Sequence, residues 1–354
     1  MKVILSGGGT GGPTMPLVAV AQALRHRHPD VHLLWVGTYN GPEREMVAYH
    51  QIPFRPIYSG KLRRYFSTRN LTDLFCIALG FFQSLYVLRV FHADVIVSAG
   101  GFVSVPLAWA GWLLRRSILI HQQDVRPGLA NRLMAPFASR ITVTFERSLN
   151  DFERGKTHWT GNPVRAELLQ GDPQKALSFF NLEPDVPCVL VIGGGTGARR
   201  LNEIVWEATP DLVRCCQLIH LTGRYKEGAT RGKRYRPYVF LGEELAWAYA
   251  AAEVVVSRGG LSTLSELAVL GKPTIIVPIR NSHQEENACW FEQHGAAVCI
   301  QEDRLTPDRL TERIRDLIES PIKRQRLSNA IFGMNRVDAA ERLAREIEEL
   351  AEYN

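Results

Sequence analysis

The sequence predicts an α/β protein built from two doubly wound parallel-sheet domains. Three observations carry this. Short apolar or β-branched runs alternate with helix-periodic stretches along most of the chain, which is how strands buried on both faces of a parallel sheet read. The peptide Gly-Gly-Gly-Thr-Gly occurs at residues 7–11 and again at 193–197, each time between an opening strand and a helix. At 354 residues the chain is also long for one hydrophobic core, so two domains are expected.

Val3-Ile4-Leu5 is the first buried strand, and the glycine loop after it leads to a helix that Pro16 opens and that runs through Leu24. Such a loop lets backbone N–H groups approach an anion or a cluster of hydroxyls, and dinucleotide enzymes share it. Their usual acid at the end of the second strand is missing, because residues 32–38 (HLLWVGT) end in Gly-Thr. Residues 94–98 form another strand, closed by the turn Ala99-Gly100-Gly101-Phe102. Ser117-Ile118-Leu119-Ile120 is followed by His121-Gln122-Gln123-Asp124, polar residues at the carboxyl end of a strand, where open α/β sheets bind ligands. Residues 141–144 are a further strand. Turn chemistry at residues 160–165 (TGNPVR) marks the linker.

The pattern then restarts. Strands are expected at 189–192, 217–221, 238–240, 254–256 and 274–277, with a helix over 198–208 after the second glycine loop. Residues 253–287 form the most telling stretch. Val254-Val255-Val256 is a buried strand and Ser257-Arg258-Gly259-Gly260 a turn. A helix carries Leu261, Leu264, Leu267 and Ala268 on one face and ends near Gly271, and the next strand follows Pro273. This unit presents a helix N-terminus at the carboxyl edge of a parallel sheet, a place for phosphates and sugars. The tail from Pro307 is helical and charge-laced. Domains are expected at 1–162 and 163–335, with a C-terminal helix at about 336–354 packing back on the first.

The net charge of +6 suits an anionic ligand or an anionic membrane surface and is too diffuse to argue for nucleic acid. The six cysteines (Cys76, Cys188, Cys215, Cys216, Cys289, Cys299) form no CxxC pair and read as reduced core residues of a cytoplasmic protein. The N-terminus breaks into glycines after a few apolar residues, unlike a signal peptide. Residues 71–91 (LTDLFCIALGFFQSLYVLRVF) follow Lys61, Arg63, Arg64 and Arg69 and are interrupted by Asp73, Gln83, Ser84 and Arg89. The uninterrupted apolar part is shorter than the roughly 20 residues of a span. Two readings stand: a helix packed into the core, or one that also touches anionic lipid.

Taken in order, the segments GGTGG (8–12), AGGFVSVP (99–106), HQQD (121–124), GLAN (128–131), GNPVR (161–165), GGGTGAR (193–199), SRGGLSTLSE (257–266) and HQEENA (283–288) cover nearly the whole chain. This ordered set resembles the MurG family of glycosyltransferases of bacterial cell-wall synthesis. The resemblance implies the GT-B fold, two Rossmann-like domains facing a cleft. It implies transfer of N-acetylglucosamine (GlcNAc) from UDP-GlcNAc to the 4-hydroxyl of the muramoyl sugar of lipid I, with inversion, at the cytoplasmic face of the plasma membrane as a peripheral enzyme. Its partners would be UDP-GlcNAc, a lipid-linked muramoyl-pentapeptide acceptor and the anionic membrane surface.

The resemblance also implies site residues. Thr10, Gly11 and Gly12 match the loop that faces the transferred sugar and the acceptor. Arg165 matches a linker arginine that contacts the nucleotide, Gly195 and Thr196 the loop that meets the diphosphate, and Gly242 a backbone contact to uracil. Leu261, Ser262, Thr263, Leu264, Ser265 and Glu266 match the helix start that cradles the nucleotide, with Glu266 on the ribose hydroxyls, and Gln284 matches the residue bonded to the GlcNAc hydroxyls. Asn131 and Asn287, in GLAN and HQEENA, count with the substrate-binding residues. Read physically, Glu266 can accept from two vicinal hydroxyls, or close a capping box over residues 263–266. Arg165 ties down the linker or meets the diphosphate, and Gln284 is a loop amide or a ligand contact.

The chain departs from the family pattern at Gly195, which replaces a serine, and on the acceptor side. Pro13 stands where the family has histidine, Phe102 where it has tyrosine, and Gln122 where it has glutamate, while Asp124 adds a carboxylate. An inverting transfer needs a base for the acceptor hydroxyl. Asp124 is the first candidate, against a turn-capping role, and His121 the second, against a structural hydrogen-bonding role. No DxD-type metal cluster stands at a suitable strand end, so Arg165, loop amides and a helix N-terminus are expected to meet the diphosphate charge, with no metal or cofactor. Three rival readings are a GT-B enzyme with another acceptor, a non-catalytic UDP-sugar binder, and a UDP-GlcNAc epimerase of related fold.

Overall fold

The computed structural model describes residues 1–9, 11–60, 69–194, 198–223 and 232–352, and for residues 69–72 the backbone alone. The chain divides into two compact units, Met1–Arg165 with Arg336–Asn354, and Ala166–Asn335.

Unit 1 contains β1 (Lys2–Ser6), α1 (Thr14–Arg27), β2 (His32–Gly37), α2 (Glu43–Tyr49), β3 (Phe54–Pro56), α3 (Arg69–Phe91), β4 (Val95–Ser98), α4 (Ser104–Leu113), β5 (Ser117–Gln122), α5 (Leu129–Met134), β6 (Arg140–Val143) and β7 (Thr157–Trp159). All its strands are parallel, in the order β3-β2-β1-β4-β5-β6-β7. Side chains alternate across a strand, and here both faces are apolar. Val3 and Leu5 of β1 enter a cluster with Leu17 and Leu24 of α1, while Ile4 between them enters another with Leu85 of α3 and Leu107 of α4.

Unit 2 contains α6 (Pro173–Phe180), β8 (Cys188–Ile192), α7 (Arg199–Leu212), β9 (Gln217–Leu221), β10 (Tyr235–Tyr238), α8 (Glu244–Ala251), β11 (Val254–Ser257), α9 (Leu261–Val269), β12 (Thr274–Ile276), α10 (His283–Gln293), β13 (Val298–Cys299), α11 (Pro307–Glu319) and α12 (Pro321–Phe332). Its strands are parallel in the order β10-β9-β8-β11-β12-β13. The two sheets share one feature that places ligands. The chain runs from β1 outward to β2 and β3, then crosses back to β4; likewise from β8 to β9 and β10, then back to β11. Strand order therefore reverses between β1 and β4, and between β8 and β11, which opens a crevice at the carboxyl ends of those strands. Each glycine loop follows the first strand of such a pair.

A last helix, α13 (Ala339–Glu352), belongs to unit 1. Its apolar face, with Leu343, Ile347 and Leu350, joins the same cluster as α1. Its charges fix the register. Arg27 forks onto Glu348 at 2.6 and 2.8 Å, and Arg140 pairs with both Glu346 and Glu349.

Several sequence expectations change. Strand β10 spans Tyr235–Tyr238, so of residues 238–240 only Tyr238 is in the sheet, and Val239 and Phe240 leave it exposed. The strand begins earlier because β10 is an edge strand, where Pro237 is tolerated, and Arg236 turns outward to the carbonyls of Phe180 and Asn181. All six cysteines are free, but they are not all core residues: Cys188 and Cys216 are buried, whereas Cys289 on α10 is exposed. Helix α3 is neither purely core nor short. Ile77, Leu85 and Leu88 are buried, while Phe75, Phe82 and Tyr86 are 66%, 67% and 70% exposed and Leu74 and Val90 are also outward. Residues Asp73–Phe91 have a mean hydropathy of 1.8, and the helix is long and apolar enough by composition to cross a membrane. The basic flank at Lys61, Arg63 and Arg64 lies outside the described residues, as does the side chain of Arg69.

Candidate active site

In unit 1 the loops after β1, β4 and β5 meet at one sheet edge. The turn after β4 holds Gly100 at φ +97° and Gly101 at φ +91°, a conformation open to glycine. A Cβ on Gly101 would stand 2.7 Å from the carbonyl oxygen of Gly8, so the two glycine turns pack backbone against backbone. Hydroxyls brace them from beneath. Ser104 donates to the Gly100 carbonyl at 3.1 Å, Ser98 accepts from the Gly100 amide at 3.0 Å, and Ser6 meets Ser104 at 3.0 Å. Gly11 and Gly12 lead into α1, whose first turn donates from Thr14 and Met15 to the Gly11 carbonyl. Thr10 lies outside the described residues.

His121 and Gln122 are the last residues of β5 rather than residues beyond it. His121 is fully buried, with Nδ1 2.9 Å from the Thr142 hydroxyl and Nε2 3.0 Å from Oδ1 of Asn162. Burial pushes its pKa down to about 4. A buried, neutral ring with both nitrogens engaged is poorly placed to take a proton, which favours a structural role for this histidine. Gln122 is structural as well. Its Nε2 donates to the carbonyls of Asp124 (2.8 Å) and Arg126 (3.0 Å), and its Oε1 accepts from Nδ2 of Asn131 at 2.6 Å. A glutamate could not donate to those two carbonyls, which gives the amide at this position a physical reason. Asp124 sits half-buried in the turn that Gln122 holds. The N-cap of the following helix, α5, is Gly128 with no side-chain bond. Asn131 also donates to the His121 carbonyl at 3.3 Å. Its Oδ1 is buried with no hydrogen-bond partner among the described residues, and lies 3.4 Å from where a Cβ on Gly100 would stand.

In unit 2 the loop after β8 carries Gly193 and Gly194, but Gly195 and Thr196 lie outside the described residues. The loop after β11 is the better-defined half. Gly259 is held on both sides, its amide donating to Oε1 of Gln284 at 3.1 Å and its carbonyl accepting from Nδ2 of Asn287 at 3.1 Å. A Cβ on Gly259 would lie 2.7 Å from the Gln284 carbonyl oxygen. Gln284 Oε1 also accepts from Ile279 at 3.2 Å, so its oxygen serves the scaffold and its Nε2 donors are the end with bonds to offer. Asn287 is fully buried and acts on the loop from behind. Arg258, also buried, pairs with Glu302 at 2.8 Å and donates to the Val277 carbonyl.

This anchored loop sets the start of α9. The N-cap is Gly260, and no side chain among the described residues caps it, so the first amides of the helix are left for other acceptors. Ser262 and Thr263 are half-buried at this end; Leu261, Leu264 and Ser265 are buried. Glu266 does not close a capping box. It lies on the second turn, 6% exposed, and its Oε2 accepts from the Tyr249 hydroxyl at 2.8 Å. Gly242 follows β10, but its amide donates to Glu244 at 3.0 Å and its carbonyl accepts from Leu245, so a base contact through that N–H requires Glu244 to move. Arg165 ends the first stretch of unit 1, just before the chain enters unit 2, and is half-buried.

Sequence reasoning assigned no role to Tyr249 and Asn162, each a partner supplied from a distant element, nor to Arg258, which ties the loop after β11 to Glu302 and Val277. It also missed Glu43, discussed below.

Comparison with known proteins adds identity to this geometry. The glycosyltransferase family 28 N-terminal domain matches residues 3–143, and the family 28 C-terminal domain matches residues 188–343. The chain is 36% identical over 357 residues to the UDP-N-acetylglucosamine–N-acetylmuramyl-(pentapeptide) pyrophosphoryl-undecaprenol N-acetylglucosamine transferase of Legionella pneumophila (strain Paris), covering 99% of this chain and 97% of that one. It is 34% identical to the transferase of the same name from Lachnoclostridium phytofermentans, with 99% of each chain covered. Among solved structures, MurG of Acinetobacter baumannii matches at a TM-score of 0.74 and 23% identity, over 98% of this chain and 99% of that one. A UDP-GlcNAc 2-epimerase from Neisseria meningitidis matches at 0.71 and 12% identity, over 99% and 100%.

Proposed function

The chain belongs to the MurG family of glycosyltransferases, and from that premise we propose that it transfers GlcNAc from UDP-GlcNAc to the muramoyl 4-hydroxyl of lipid I, forming lipid II. The observation that carries the reading is full-length likeness to transferases whose names state this reaction. The epimerase reading rests on fold likeness alone and is not favoured, and neither is a changed acceptor or a non-catalytic role.

Unit 2 takes the donor. The uncapped start of α9 and the glycine loop after β8, with Thr196, receive the diphosphate, and Arg165 adds a fixed charge. Glu266 accepts from the ribose hydroxyls, and Gln284 donates from Nε2 to the GlcNAc hydroxyls. Unit 1 takes the acceptor at the edge formed by Gly11, Gly12, the Gly100–Gly101 turn and Asn131. The orphaned Oδ1 of Asn131 supports this, because a buried acceptor without a donor costs about 1–3 kcal/mol until a hydroxyl arrives. Asp124 takes the proton as the acceptor oxygen bonds to the anomeric carbon. The bond from that carbon to the diphosphate oxygen breaks with its electron pair, and UDP departs. The reading is tested by supplying UDP-GlcNAc and a short-chain lipid I analogue. Disaccharide formed in step with UDP release supports it. Turnover of the donor without an acceptor would point to the epimerase reaction instead.

The acceptor is lipid-linked and the donor is a cytoplasmic metabolite, so the enzyme works at the cytoplasmic membrane face. The outward stripe of α3, with Phe75, Phe82 and Tyr86 at helical spacing, supports contact with lipid. The double substitution Phe75→Ser with Phe82→Ser should lower binding to anionic vesicles about tenfold or more, since losing partial burial of two phenylalanines costs on the order of 1–3 kcal/mol. Sedimentation with vesicles measures it, and unchanged binding would remove α3 from the membrane contact.

A further inference from the structure

The acid missing from the end of β2 reappears on the next helix, turned inward. Glu43, the first residue of α2, is 0% exposed. Its Oε1 accepts from the Thr38 amide at 2.8 Å and the Thr38 hydroxyl at 2.5 Å, and its Oε2 accepts from the Gly9 amide at 3.2 Å. All three partners are donors, as an ionised carboxylate requires. Among the described residues these partners include no cation, and the three bonds come from backbone and hydroxyl dipoles.

The surrounding chain is shaped to admit this side chain. A Cβ on Gly8 would stand 2.6 Å from Oε1 of Glu43, and a Cβ on Gly41 would stand 1.9 Å from its Oε2. The bonded residue, Gly9, has φ +89°. A buried carboxylate without a cation is poor stability design, because its desolvation is costly and a neutral side chain could bond Thr38 as well. What a carboxylate supplies is a second acceptor oxygen, and that oxygen is spent on the glycine loop.

From this we infer that Glu43 is a positioning residue for the transfer reaction: it clamps Gly8 and Gly9 of the glycine loop, through the Gly9 amide, beside the sheet edge that receives the acceptor sugar. This rests on the proposed function, which assigns that loop to the acceptor. The turn after β4 packs against Gly8, so the clamp also sets the Gly100–Gly101 turn. The donor half is assigned to unit 2, a separate compact unit.

Glu43→Gln tests the clamp with volume conserved. The amide oxygen keeps Thr38, and the nitrogen meets Gly9 donor to donor. The expected result is a fall in kcat of about tenfold, with affinity for UDP and the KM for UDP-GlcNAc unchanged and the far-UV spectrum intact. Gly41→Ala displaces the same carboxylate from outside the loop and should give the same pattern. Amide hydrogen exchange of the peptide covering residues 5–15 is the readout independent of activity, and it should accelerate in both variants. If wild-type protein makes no disaccharide, the proposed function fails while the exchange result still judges the clamp. Wild-type exchange and wild-type kcat in the variants would overturn the inference. So would a loss of UDP affinity parallel to the loss of kcat, which marks a general structural defect.

Discussion

Asp124→Asn should lower kcat for transfer to a lipid I analogue by about 10²–10⁴-fold, the range by which a positioned base accelerates proton removal. Affinity for UDP should not change, because this turn belongs to unit 1 and the donor is assigned to unit 2. The substitution is isosteric, and the turn is held by bonds from Gln122 to the carbonyls of Asp124 and Arg126, not by the Asp124 carboxylate alone. Two competitors for the role are weakened on geometry. His121 is buried, neutral and bonded through both ring nitrogens. Gln122 has no basic group, and its amide is committed to the turn and to Asn131. Restoring the family's residue with Gln122→Glu should therefore fail to rescue Asp124→Asn, since a carboxylate there would face two carbonyl oxygens and open the turn. Single-turnover assays on both variants and the double variant decide the matter. Unchanged turnover in Asp124→Asn would eliminate this residue as the base.

Much of the fold was legible because it rests on local signals. The alternation of Val3, Ile4 and Leu5 between two apolar clusters is written in the residues themselves, and so are the glycine turns at the ends of β1, β8 and β11. What was not legible depends on long-range partners. The four residues 263–266 satisfy a capping-box pattern, but Gly260 takes the cap and Tyr249, from the preceding helix, takes Glu266. The second strand lacks a terminal acid, yet Glu43 returns one to the glycine loop from a helix six residues on. His121 looked available for chemistry until Thr142 and Asn162 enclosed it. Periodicity also could not tell which face of α3 is covered, since both faces are apolar and the answer lies in how it packs on α4.

Glu266→Gln should weaken UDP and UDP-GlcNAc binding about 10²-fold while leaving kcat at saturating donor nearly unchanged. The carboxylate is 6% exposed and oriented by the Tyr249 hydroxyl at 2.8 Å. Charge-assisted hydrogen bonds are worth roughly 1.5–3 kcal/mol each, and vicinal ribose hydroxyls would donate to both oxygens of a carboxylate. A glutamine keeps one acceptor for Tyr249 and turns a donor toward the ribose, so most of that energy is lost; 10²-fold corresponds to about 2.7 kcal/mol. Tyr249→Phe removes only the orienting bond and should cost several-fold. The ribose assignment is tested by the donor rather than the protein. UDP lacking the 2′-hydroxyl should bind wild type more weakly than UDP does, and the Glu266→Gln variant should scarcely distinguish the two, because the partner of that hydroxyl is already gone. Calorimetric titration of both nucleotides into both proteins gives the coupling directly. Should the variant still discriminate between them as wild type does, Glu266 is not on the ribose, and the start of α9 holds the diphosphate without it.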